Sequence, residues 1–195
     1  NIGTNADQIA AVSAGLGAFA LPNGSRDAVL LSTLNSGAYT AHVRGKTGVG
    51  VALAEVYDAS TSETARLVAI SARTRAGTGA EVLIVGFVVA GNTPKRLLIR
   101  GIGPTLANYD VAGVLADPQL ALYKQGSLAP LQQNDNWGGD PALKAAFLDT
   151  GTSSLDDSSK DAALLVTLDP GVYSAVLTGK GNTTGIALVE VYEVP

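Results

Sequence analysis

Ser25-Arg-Asp-Ala-Val-Leu-Leu-Ser-Thr-Leu-Asn-Ser-Gly-Ala-Tyr39 returns later in the chain as Ser159-Lys-Asp-Ala-Ala-Leu-Leu-Val-Thr-Leu-Asp-Pro-Gly-Val-Tyr173. Val51-Ala-Leu-Ala-Glu-Val-Tyr57 likewise returns as Ile186-Ala-Leu-Val-Glu-Val-Tyr192, with one residue inserted after the Gly-Lys turn (Gly45-Lys46 against Gly179-Lys180). Towards the N-terminus the register continues through Gly17/Gly151 and Leu21/Leu155. An internal repeat constrains a fold more than any local propensity, because each copy must find a comparable packing partner. The chain divides as A1 (1–59), B (60–133) and A2 (134–195), and the spacing predicts a half-module in 1–59 and a complete β-sandwich in 60–195.

Each A copy reads as strand, turn, strand, turn, strand. An apolar run ends at Asn35-Ser36-Gly37 in A1 and Asp169-Pro170-Gly171 in A2, where proline presets φ and glycine accepts positive φ. Ala38 to Arg44 alternates as a half-buried strand does, and a glycine turn precedes the run that closes on Glu-Val-Tyr. In B, Arg66 to Thr74 alternates and Lys95 to Arg100 and Gln119 to Tyr123 add strands, with Leu128 to Gln132 as a further opening strand. Glu81 to Ala90 is continuously apolar, which predicts a central strand covered on both faces. Asp140-Pro141 before Ala-Leu-Lys-Ala-Ala-Phe147 supplies an N-cap and a first-turn proline, and Asn5 to Ala14 occupies the matching place in A1. The expected class is all-β: an antiparallel, jelly-roll-like β-sandwich, two related β-modules with short helical turns.

Composition narrows function. Hydrophobic residues form 46% of the 195, charged residues 15% and aromatics 5%, with a net charge of -4. That balance folds a core and offers no basic footprint for nucleic acid. No apolar run reaches membrane-spanning length. Neither cysteine nor methionine occurs, so thiolate chemistry and disulfides are excluded without the compartment being fixed, and the missing initiator methionine leads us to expect either a chain trimmed of a signal or pro-segment or a fragment of a longer precursor.

Residues 118–192 carry Leu-Ala-Leu-Tyr123, Asn134-Asp-Asn-Trp137, Asp161-Ala-Ala-Leu-Leu-Val-Thr-Leu168, Asp-Pro-Gly-Val-Tyr173 and Thr184-Gly-Ile-Ala-Leu-Val-Glu-Val-Tyr192. In that order they resemble the pre-peptidase C-terminal jelly-roll module. Ser71-Ala-Arg73, Gly77-Thr-Gly79, Val85-Gly-Phe-Val-Val89 and Leu98-Ile-Arg-Gly-Ile-Gly-Pro104 resemble repeats of large secreted bacterial surface proteins. The resemblance implies a secreted β-sandwich without catalytic residues of its own.

Candidate chemistry is sparse. The single histidine, His42, has no second histidine or cysteine to build a triad or metal cluster with, and reads as a surface residue. Asp135, Asp140 and Asp157 could give oxygen ligands to Ca²⁺, although the spacing is not that of an EF-hand. Trp137 is either a core plug or a stacking platform for a sugar. Asp27/Asp161 and Glu55/Glu190 recur at matching strand positions, which points to structure rather than to a glycosidase pair, with Arg26 and Lys160 as neighbouring partners. Gly101-Ile-Gly-Pro-Thr105 lacks phosphate-loop spacing and reads as a turn. Asn23-Gly-Ser25 and Asn182-Thr-Thr184 fit the N-glycosylation pattern in turns.

If A1 needs the opening strands that A2 has, its backbone edges are paired either by B serving both copies or by a strand from another subunit. The expected function is a non-enzymatic structural subunit of an extracellular filament, fibre or surface layer. Its expected partner is itself, head-to-tail by strand complementation, through Asn1, Ile2, Ile9, Leu16, Phe19 and Leu21. The alternative is a carbohydrate- or surface-ligand-binding module of a larger secreted protein.

Overall fold

The computed structural model describes residues 6–18, 20–22, 24–48, 50–60 and 66–195. The chain falls into two units, Asn1–Leu67 and Val68–Pro195.

The second unit is a sandwich of two antiparallel four-stranded sheets. Its strands are β1 (Ala69–Ala76), β2 (Leu83–Val89), β3 (Lys95–Ile102), β4 (Pro118–Lys124), β5 (Gln132–Asn134), β6 (Ala162–Leu168), β7 (Gly171–Gly179) and β8 (Gly185–Glu193). One sheet runs β1-β8-β3-β6 and the other β2-β7-β4-β5. The repeat copy A2 thus supplies β6, β7 and β8, and each pairs with B: β6 with β3, β7 with β2 and β4, β8 with β1 and β3.

The inner faces meet in a core that includes Leu83, Val85, Ile99, Leu120, Leu122, Leu164, Tyr173, Leu177 and Val189. Leu177 on β7 needs an absence opposite it. A Cβ on Gly101 of β3 would stand 2.4 Å from the Leu177 Cδ1, so a larger residue there would force the Leu177 side chain to shift. A second cluster, with Leu98, Ile102, Trp137, Leu143, Phe147 and Leu155, covers the outer face of the β1-β8-β3-β6 sheet beneath the helix Pro141–Thr150. That helix starts as its sequence requires: the Asp140 side chain accepts from the Ala142 and Leu143 N–H groups, Pro141 follows, and Gly151 at φ 66 ends it.

Two strand expectations are corrected. The strand covered on both faces is β3, whose residues from Leu97 onward are all buried. β2 is instead an edge strand, with Ile84 and Val88 exposed on the outer side. An apolar run does not distinguish a doubly covered strand from an edge strand with one greasy outer face. Leu128 to Gln132 is not a strand; Leu128 is fully exposed and β5 begins only at Gln132.

The first unit contrasts sharply. Its regular element among the described residues is one helix, Ala6–Gly15. Residues 24–48 and 50–60 form no strand, and no described residue of the unit is buried. The strands expected over Ala28–Leu34, Ala38–Arg44 and Val51–Tyr57 are therefore absent, since a strand is stable only with a paired neighbour and a covered face.

Candidate functional site

Two buried carboxylates organise the second unit. Glu190, on β8, receives the Arg100 side chain through Nε at 2.8 Å and Nη2 at 2.5 Å, and the Tyr192 hydroxyl at 2.7 Å. Arg100 is itself 2% exposed, donates through Nη1 to the Ser153 carbonyl at 2.5 Å and lies 5.1 Å from the Phe147 ring centroid. A charge withdrawn from water is tolerable only when paired and hydrogen-bonded in this way. Burial, followed by the Glu190 hydrogen bond, pushes the Tyr192 hydroxyl well above its usual value.

Asp161 opens β6 from a fully buried position. It accepts the Gly103 N–H at 2.6 Å and the hydroxyls of Thr105 and Ser159, and its own N–H reaches the Ser159 Oγ at 3.1 Å. The backbone of Gly103 can approach because it carries no Cβ; one would meet the Leu115 carbonyl at 2.2 Å. The sequence pointed to Lys160 as the partner of Asp161, but Lys160 pairs with Asp117 at 2.8 Å. Arg100 was missed altogether. Its signal was present in Leu-Leu-Ile-Arg100-Gly-Ile, a charge inside an apolar strand that has to meet an opposite charge.

The residues singled out from sequence lie apart from these nodes. Asp135 pairs with Lys180 at 2.8 Å, Asp157 with Lys144 at 2.6 Å, and Asp140 caps its helix. Among the described residues no three acidic or histidine side chains gather as a metal cluster. Trp137 is 3% exposed, stacked at a tilt on Phe147, with its Nε1 donating to the Asp156 carbonyl at 2.8 Å. Its ring is interior and offers no surface platform for a sugar. His42 is exposed, as is Asn182 in the turn before β8. Of the proposed interface residues, Ile9 and Leu16 are half-buried and Leu21 is exposed. Asn1, Ile2, Phe19 and the sequon residue Asn23 lie outside the described residues.

A1 repeats the serine–aspartate, tyrosine–carbonyl and tyrosine–glutamate bonds of A2. Ser25 donates to Asp27, and the Asp27 N–H returns to the Ser25 Oγ at 3.1 Å. The Tyr39 hydroxyl reaches the Asn35 carbonyl at 2.9 Å, as Tyr173 reaches Asp169 at 2.8 Å. Tyr57 donates to Glu55 at 3.1 Å, as Tyr192 does to Glu190. Gly17 takes φ 71 where Gly151 takes 66. What differs is cover. Leu30, Leu34, Tyr39, Val43 and Val56 are between 56% and 81% exposed, while their counterparts Leu164, Leu168, Tyr173, Leu177 and Val191 are at most 7% exposed.

Comparison with protein-family models and with curated proteins finds no match. Among solved structures the chain is similar to the pre-peptidase C-terminal domain of a collagenase from Bacillus anthracis, at 11% identity and TM-score 0.39, covering 64% of this chain and 89% of that one.

Proposed function

We propose that this chain is a non-enzymatic structural subunit of an extracellular assembly, joined to its neighbours by β-strand complementation at segment 1–59. The reading is carried by one observation: A1 leaves in solvent the apolar positions that A2 keeps in the core. An apolar surface of that extent marks a place of interaction. Strand addition is the mode suited to it, because it satisfies backbone groups and side chains together. A structural role also accords with the chemistry of the second unit, whose Asp161 and Glu190 are committed to interior hydrogen bonds and stand in no open cleft.

The test compares the parent chain with a full-length Leu53→Asp, Val56→Asp variant. Both residues are exposed in the first unit, so the sandwich is untouched. Labelled chain is mixed with the native extracellular material, which is then sedimented and imaged by negative-stain electron microscopy. The expected result is regular polymers that take up the parent and exclude the variant. Uniform monomers in the native material, or equal uptake of both chains, overturn the reading.

A further inference from the structure

We draw no further inference here: the strongest candidate, the shallow groove on the outer face of the β2-β7-β4-β5 sheet lined by Ile84, Tyr123, Leu128, Ser174 and Val176, is an apolar face and nothing in the structure shows what covers it.

Discussion

Residues 6–57 and 140–192 are the same sequence theme in two physical states. Both carry a helix closed by a glycine at positive φ, a serine–aspartate bond, a tyrosine folded back onto a carbonyl and a tyrosine–glutamate bond. Among the described residues, only the second has strands and only the second has a core. Contacts that span a few residues form wherever their sequence occurs. Strands and burial wait for a partner that the local sequence does not contain. The comparison separates the two contributions inside one molecule, where usually they are inseparable.

The sharpest way to break the comparison is through the matched glutamates. Glu190→Gln leaves Arg100 buried without its counter-charge, and a loss of about 3–5 kcal/mol is expected in urea unfolding of the second unit. Glu55→Gln removes a solvent-exposed charge and is expected to change that curve by less than about 0.5 kcal/mol. A comparable loss from both substitutions would mean that A1 is packed in solution. A somewhat smaller contrast is expected at the matched apolar pair. Leu177→Ala should cost about 2–5 kcal/mol through the cavity it opens between the sheets, and Val43→Ala nothing resolvable by the same measurement.

The smallest effect concerns Asp135, whose counterpart in A1 is Asn1 by the repeat register. The Lys180 ammonium at 2.8 Å holds the Asp135 carboxyl below its ordinary 3.8 and is itself raised above 10.5. A carboxylate with a depressed folded value stabilises above its ordinary value and loses that contribution as pH falls through the folded one. Acid unfolding of the second unit below about pH 4 should therefore include a small term that Asp135→Asn removes, with no change near neutrality beyond that of a screened surface pair. An unchanged acid limb in the variant would show that the pair is unformed in solution.

The sandwich was legible in the sequence to the extent that its determinants are local or periodic. Alternation in the A2 copy of Ala38–Arg44, which forms β7, the Pro-Gly corner before Tyr173, and Asp140-Pro141 before a helix each have a mechanism readable from neighbours. The edge position of β2 was not legible, because Leu-Ile-Val-Gly-Phe-Val-Val is equally apolar whether covered or not; only the pairing of β7 on one side decides it. The partner of Asp161 was misread for a related reason. Lys160 is adjacent in sequence, but its ammonium reaches Asp117 at 2.8 Å, while the buried Asp161 carboxylate is taken by Gly103 and Thr105 from across the fold. The carboxylates themselves were visible as repeated positions. Arg100 was visible only as an anomaly within an apolar run. The state of A1 lay furthest from view: its pattern predicts strands as firmly as that of A2, and pattern carries no information about whether a neighbour is there.

The placement of β8 has a temporal consequence. The final strand sits between β1 and β3, so Ala69 must find Tyr192 and Leu98 must find the same residue from the other side. A chain emerging at roughly 5–20 residues per second holds β1, β2 and β3 for seconds before that strand exists. Until then the first sheet cannot close and Arg100 has no carboxylate to meet. Contacts so distant along the chain make for slow folding. The hazardous interval for this protein is therefore set by the clock of synthesis, and a stop anywhere before Gly185 yields a chain with β1 unpaired rather than a slightly weaker sandwich.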